Sequence, residues 1–109
     1  MIKNNEKIMT KQLMQDAFPE IKITLEQAQL LTQQGGFVIA EAMYHELLDL
    51  ESDCPPALYG LSQLADKIDD QALRKELLQA ALEQIKDADE SNKKSLKAIW
   101  EDELKAIVN

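Results

Sequence analysis

Few side chains in this chain could take part in chemistry, and they are far apart in the sequence. His45 is the only histidine and Cys54 the only cysteine among 109 residues. A general base or a metal ion needs several groups that converge on one point, and neither residue has such partners close by in the sequence. We therefore expect no catalytic role for His45, and neither a metal site nor an internal disulfide at Cys54.

One short acidic segment has some of the character of a metal-binding loop. Asp87, Asp89 and Glu90 partly match a calcium loop, but the required glycine and the terminal bidentate glutamate are missing. The start of a helix explains these side chains better, because negative charge is favoured near a helix N-terminus. The chain also has no glycine-rich phosphate loop and no Gly-x-Ser-x-Gly motif. The sequence thus predicts neither an enzyme nor a bound cofactor.

The charge of the chain argues against one class of partner and points to another. Acidic residues number 20 and basic residues 12, which gives a net charge of −8. Proteins that bind nucleic acid use Lys and Arg to neutralise phosphates, so we expect no nucleic-acid binding. No Lys or Arg occurs between Ile23 and Asp66. This acidity fits either a solvated surface that keeps the protein in solution, or a preference for a basic segment of a partner protein.

The elements that hold these residues are expected to be helices. Glycine and proline number three each and occur at a few places, which leaves long stretches of good helix formers. No run of apolar residues is long enough for a membrane helix, and the first residues lack the apolar core of a signal peptide. We therefore expect an all-α protein in the cytoplasm, where a single unpaired cysteine fits the reducing conditions.

The clearest local pattern is a helical hairpin over residues 24–50. Thr24 and Gln27 have the spacing of a capping box, which predicts a helix start at Thr24. Gly35 can adopt the left-handed conformation in which many helices end. A second amphipathic helix follows, and the small side chain of Ala40 is expected at the packed seam between the two helices.

The hairpin has a characteristic set of residues in both helices and in the turn: Ala28, Leu31, Gly35-Gly36-Phe37, Ala40, Tyr44 and Leu47-Leu48. With this set the hairpin resembles a tetratricopeptide repeat, a helix-turn-helix unit of about 34 residues. A less regular second unit opens with Ala57-Leu58-Tyr59-Gly60-Leu61 and has Asp69-Asp70 in place of a glycine turn. The resemblance implies units over residues 21–54 and 55–88, arranged as antiparallel hairpins in a right-handed α-α superhelix.

Helices on both sides are expected to cover this array of two units, since repeat arrays need terminal elements over their last apolar face. Residues 1–7 are predicted to form a disordered tail, and a short helix to run from Ile8 to Phe18. A final helix is expected over residues 91–108, with Trp100 buried against the repeats. Residues 8–109 would then form a single domain.

The resemblance implies a function in protein binding, because such arrays usually hold a peptide or helix of another protein on the surface of their first helices. The inner positions of the family correspond here to Leu25, Gln29, Gln33, Tyr59, Gln63 and Asp66. One subtype binds the acidic C-terminal tails of chaperones through lysine, arginine and asparagine at such positions. Gln29, Gly60 and Gln63 stand at the corresponding places, so this subtype is not expected.

Two other kinds of function fit the same pattern. Bacterial secretion chaperones of this family are also small, acidic and cytoplasmic, although they usually have three units and a longer dimerising helix at the N-terminus. Alternatively, the helix around Trp100 could pack against a second copy and form a self-assembling structural module. The chain is expected to be a monomer or a homodimer, and an enzyme is the least expected class.

Overall fold

The computed structural model describes the backbone of residues 2–107 and the side chains of residues 10–107. Within this range the regular elements are helical, which confirms the predicted all-α class. No helix of this range is long and apolar enough to cross a membrane. The α-helices are α1 (Ile2–Ala17), α2 (Lys22–Gln33), α3 (Phe37–Leu50), α4 (Pro55–Lys67), α5 (Gln71–Ile85) and α6 (Ser91–Ala106).

The terminal helices differ in how closely they follow the sequence prediction. α1 begins at Ile2, whereas the sequence predicts a disordered tail over residues 1–7. No glycine or proline interrupts this segment, and its Lys and Glu residues are good helix formers, so the helix can extend through it. α6 lies within the helix predicted over residues 91–108. Met1 and Val108, which belong to these two predictions, lie outside the described residues.

The capping box predicted at the start of α2 does not form. The helix begins at Lys22, and no side chain caps its first turn, so the predicted start at Thr24 is wrong. The cause is the segment before it, where a single 3-10 turn over Pro19–Ile21 leads directly into the helix. Because proline already has a helical φ angle, the chain becomes helical before it reaches Thr24.

The two central hairpins turn in the same way, although only the first has glycine. Gly35 and Asp69 both adopt the left-handed conformation, with φ angles of 84° and 58°. Each turn closes with a hydrogen bond from a backbone N–H to a carbonyl five residues earlier, which is the Schellman arrangement. These bonds run from Gly36 to Leu31 at 2.8 Å and from Asp70 to Ala65 at 2.9 Å. The predicted turn at Gly35 is confirmed, and aspartate takes its place in the second hairpin because it tolerates this conformation.

The helices form a closed bundle. Hairpin α2–α3 packs on hairpin α4–α5 through contacts of α2 and α3 with α4. The flanking helices α1 and α6 pack on α2 and α5, respectively, and also on each other. The extents of the molecule, 34 × 33 × 30 Å, are nearly equal. The two flanking helices therefore meet and close the array between them.

The core contains the small and large residues that the sequence pattern singled out. Ala40, Tyr44 and Trp100 are buried, with exposed fractions of 0%, 2% and 0%, which confirms the predictions for Ala40 and Trp100. The ring of Tyr44 lies directly against Gly60 of α4, so close that a Cβ atom at position 60 would come within 3.0 Å of ring carbons. Glycine is thus required at this position for α3 and α4 to approach each other.

Candidate interaction surface

The six residues of the predicted groove do not form one open surface. Three of them are buried, namely Leu25, Gln29 and Tyr59. Gln63 is half-buried, and the remaining two, Gln33 and Asp66, are exposed. The cause is the position of the flanking helices, because α1 packs on α2 and contacts from α6 reach α4. The surface on which the family resemblance places a peptide is therefore covered by two helices of the same chain.

On the α6 side, the carboxylate of Glu103 holds the groove residues in place. It accepts a hydrogen bond from the Tyr59 hydroxyl and another from Gln63 Nε2 at 3.1 Å. Arg74 Nη2 lies 3.5 Å from the same carboxylate. Burial, together with the neighbouring carboxylate, raises the pKa of Tyr59 well above its usual value near 10, so the hydroxyl remains a donor at neutral pH. We call Tyr59, Gln63, Arg74 and Glu103 the Glu103 cluster.

On the α1 side, two buried glutamines pair with each other. Gln15 Nε2 donates a hydrogen bond to Gln29 Oε1 at 2.9 Å, and each residue is 8% exposed. A buried amide that loses its partner costs about 1–3 kcal/mol, so the pair favours one register of α1 on α2. The sequence assigns the amide of Gln29 to the backbone of a partner peptide, but its Oε1 atom is used within the fold, and its buried Nε2 has no hydrogen-bond partner among the described residues.

The most exposed apolar side chains belong mainly to the first hairpin. Among the described residues, seven large apolar side chains are exposed, and five of these lie on α2 and α3. Isolated exposed apolar residues are common in soluble proteins, so the concentration of five on one hairpin is the feature that sets this hairpin apart. We call these five the hairpin surface: Ile23, Leu30, Val38, Ile39 and Leu50, with exposed fractions of 74%, 51%, 80%, 59% and 84%.

The part of the hairpin surface on α3 also carries negative charge. Glu41, Glu46 and Asp49 are exposed between its apolar residues, and none of the three takes part in an ion pair with another described residue. No Lys or Arg occurs anywhere on α3. We call the exposed residues of this helix the α3 outer face: Val38, Ile39, Glu41, Ala42, His45, Glu46, Asp49 and Leu50.

The residues that could do chemistry are not brought together. His45 is exposed on α3, whereas Cys54 is buried at the start of α4. Burial raises the pKa of the Cys54 thiol, which makes it less reactive. Glu90 caps α6 by accepting hydrogen bonds from two backbone N–H groups at 2.9 and 3.2 Å, which confirms that the acidic segment starts a helix. Between residues 10 and 107 there is no group of three side chains that could hold a metal ion.

Sequence reasoning missed the α3 outer face because it followed only the buried stripe of α3. Val38 and Ile39 come directly after Phe37 and lie on the side of the helix opposite to Ala40 and Tyr44. An amphipathic helix normally has polar residues there. Two adjacent β-branched residues at these positions, in a segment without Lys or Arg, were the signal that could have located the surface.

Comparison with known proteins leaves the family open. No protein-family model, no curated protein and no solved structure matches the chain. The resemblance to tetratricopeptide repeats therefore depends on the pattern of residues in the two hairpins.

Proposed function

We propose that this chain is a non-catalytic module that binds another protein, built from two tetratricopeptide-like units, α2–α3 and α4–α5. Residues that lie 34 positions apart in the sequence share backbone conformation or burial, and this supports the division into two units. Gly35 corresponds in this way to Asp69, which has the same left-handed conformation. Buried positions correspond as well, as in the pairs Ala28 and Ser62, Tyr44 and Leu78, and Leu47 and Ala81. Such agreement is expected when two copies of one structural unit stack on each other.

The hairpin surface is the observation that carries the proposed function. Its five side chains are 51–84% exposed, although the same hairpin buries Ala28, Ala40 and Tyr44 in the core. Burying a large apolar side chain fully contributes about 1.5–3 kcal/mol, so covering several of them in a complex supplies a substantial part of a binding free energy. A partner protein that covers α2 and α3 would provide that burial.

The proposed surface lies outside the groove that the family resemblance suggests. Tyr59 and Gln63 are engaged by Glu103 of α6, and Gln29 is engaged by Gln15 of α1. A peptide that entered this groove would have to displace a packed helix together with the buried Trp100. Binding on the hairpin surface needs no such displacement, because these side chains are already in contact with solvent.

The experiment that tests this function compares two double variants that each replace two exposed apolar residues with serine. Val38→Ser/Ile39→Ser alters the hairpin surface, whereas Ile68→Ser/Leu73→Ser alters the other exposed apolar residues, near the turn between α4 and α5. Each purified protein is used to capture partners from a lysate of the source cells, and circular dichroism checks that both variants are folded. We expect the first variant to lose a captured protein that the second variant and the original chain retain.

Equal capture by all three proteins would place the binding surface elsewhere and contradict the proposal. The absence of any specifically captured protein would contradict it as well. Light scattering on the purified chain distinguishes a monomer from a homodimer. The buried position of Trp100 leaves its indole no contact with a second copy, which argues against a self-assembling module that pairs through this side chain. We further propose a reducing compartment such as the cytoplasm, which suits the free buried thiol of Cys54.

A further inference from the structure

We propose that the α3 outer face binds a basic amphipathic helix of a partner protein, whose apolar residues pack on Val38, Ile39 and Leu50 and whose Lys or Arg residues pair with Glu41, Glu46 and Asp49. This inference rests on the proposed function, and it adds the position of the site and the chemistry of the ligand. The inference states that the ligand is a helix and that it is positively charged, and a separate structural observation supports each of these properties.

The position of α3 in the bundle leaves one side of it free. Among the described elements, α3 makes extensive contacts only with α2 and α4. Its buried residues Ala40, Tyr44 and Leu47 point to these neighbours, and the opposite side is exposed along the whole helix. The step from Val38 to Leu50 covers about 18 Å at 1.5 Å per residue. This length accommodates about three turns of a second helix.

The form of the ligand follows from what a helix surface can offer. All backbone groups in the middle of α3 are already used within the helix, so an extended peptide would find no free N–H or C=O groups with which to pair. Side chains alone must therefore make the contact, and a helix presents its apolar residues at a matching spacing of three and four residues. Ala42 lies between Val38 and Glu46 and has only a methyl group, which allows the axis of a second helix to approach closely.

The charge of the ligand follows from the carboxylates of the same face. Glu41, Glu46 and Asp49 are exposed, lack ion-pair partners among the described residues and flank the apolar positions. The wider segment from Ile23 to Asp66 contains seven acidic residues and neither Lys nor Arg, so no such side chain within the segment neutralises them. Complementary charge on the ligand would speed association and select the partner. The apolar contacts would provide most of the affinity, since each exposed ion pair contributes only about 0.2–1 kcal/mol.

The same charges argue against the symmetric pairing of two copies through α3. In a dimer with twofold symmetry each α3 outer face would meet an identical face, which would bring six carboxylates together without a counter-charge. Like charges across an interface are unfavourable. A separate basic partner satisfies both the apolar and the acidic residues, and we therefore assign the face to such a partner.

Three synthetic peptides of 18 residues serve as probes for this proposal. The first has leucines at positions i, i+4, i+7 and i+11 with lysines beside them. The second has the same leucines with glutamates in place of the lysines, and the third has the composition of the first with its leucines scrambled. Binding to the full chain is measured by fluorescence anisotropy at low and at physiological salt. We expect the first peptide to bind at least ~10-fold more tightly than either control, with an affinity that falls as salt rises.

Variants then locate the site on α3. Val38→Ser/Ile39→Ser is expected to weaken binding of the lysine peptide at both salt concentrations, since it removes apolar contacts. Glu46→Lys/Asp49→Lys is expected to weaken it mainly at low salt, and to improve binding of the glutamate peptide. The matched control is Glu76→Lys/Glu83→Lys, which makes the same change of net charge on exposed positions of α5. It should leave the difference between the two leucine peptides nearly unchanged.

Several outcomes would overturn the proposal. Equal binding of the lysine and glutamate peptides, or an equal effect of the α3 and α5 charge variants, would show that α3 does not select a basic ligand. If none of the peptides binds but Val38→Ser/Ile39→Ser still abolishes capture of a cellular partner, the proposed function stands and this inference falls. If capture is also unaffected, both fall. A dimer that becomes a monomer in the Val38→Ser/Ile39→Ser variant would identify a second copy as the occupant and overturn the inference.

Discussion

The phenol ring of Tyr59 in α4 stacks on the indole of Trp100 in α6, with ring centroids 4.8 Å apart and an angle of 13° between the planes. Both side chains are buried. Stacked aromatic pairs contribute about 0.5–1.5 kcal/mol beyond the burial of their area. The contact joins a residue of the predicted partner groove to the C-terminal helix, and this explains why the groove is closed in the free protein.

Replacing Trp100 with alanine should strongly destabilise the fold. The indole is 0% exposed, and the loss of a buried Trp side chain costs about 3–5 kcal/mol, a large part of the 5–15 kcal/mol typical of a domain. Trp100→Phe should cost less, because it keeps an aromatic ring over Tyr59 and removes an indole N–H that has no hydrogen-bond partner among the described residues. Urea unfolding of the three proteins measures the difference.

Tryptophan emission of the original chain should be blue-shifted and independent of protein concentration, because Trp100 is buried within the monomer. A red-shifted emission in dilute solution would contradict the buried position.

Glu103 should matter more for stability than an exposed acidic residue of the same helix. Glu103→Ala removes the acceptor of Tyr59 and Gln63. It also takes one partner from Arg74, whose side chain is only 18% exposed and which keeps its contacts with Asp66 and Gln71. Unpaired buried polar groups cost about 1–3 kcal/mol. Glu101→Ala, on the exposed side of α6, is the control and should change stability by about 0.5 kcal/mol or less. Equal thermal midpoints for the two variants would show that the Glu103 cluster contributes nothing.

A methyl group at Gly60 should destabilise the contact between α3 and α4. Exchanging glycine for alanine inside a helix normally stabilises it by about 1 kcal/mol. At position 60 the added Cβ would come within 3.0 Å of the Tyr44 ring, and overpacking of this kind costs about 1–3 kcal/mol. The predicted sign is therefore opposite to that for an exposed helical glycine. Gly60→Ala should cost less in a Tyr44→Leu background than in the original chain, and the double-mutant cycle measures this coupling.

Two alanines of α3 provide a matched test of which side of the helix is packed. Ala40 is fully buried, whereas Ala42 is exposed. Ala40→Leu should overpack the seam with α2 and cost about 1–3 kcal/mol, and Ala42→Leu should leave the urea midpoint nearly unchanged. The same pair checks the binding surface, since Ala42→Leu adds bulk to the α3 outer face. A larger loss of stability for Ala42→Leu would reverse the assignment of the two sides.

Stability should fall at alkaline pH because of buried tyrosines. Burial raises the pKa of Tyr44 from 10.0 to about 12. The folded state therefore holds the proton more tightly than the unfolded state, so this contribution is fully present below pH 10 and is lost as pH rises from 10 towards 12. At pH 11 the loss from Tyr44 alone is roughly 1 kcal/mol. Tyr44→Phe should be less stable at neutral pH but show a smaller decrease in thermal midpoint between pH 9 and pH 11. An unchanged decrease would assign the effect to other groups, such as Tyr59.

Local structure was largely predictable from the sequence, because it depends on neighbours in the chain. Helix-forming residues without interruption gave the all-α class, and Gly35 gave the first turn. The buried positions of Ala40 and Trp100 followed from helical spacing. The start of α2 was not predicted correctly, because Pro19 begins a helical turn earlier than the capping box at Thr24 indicates. The second turn was less evident in the sequence, because an aspartate, unlike a glycine, does not by itself predict the left-handed conformation that Asp69 adopts.

Whether other helices cover the predicted groove depends on tertiary structure alone. Helical spacing places Leu25, Gln29, Tyr59 and Gln63 on one side of their helices, but it does not determine what packs against that side. Contacts over 40 and 44 residues, from Gln63 and Tyr59 to Glu103, bring α6 over these positions, and the packing of α1 on α6 closes the bundle. Such contacts depend on how whole helices fit together, and this fit leaves the acidic and apolar outer face of α3 as the open surface.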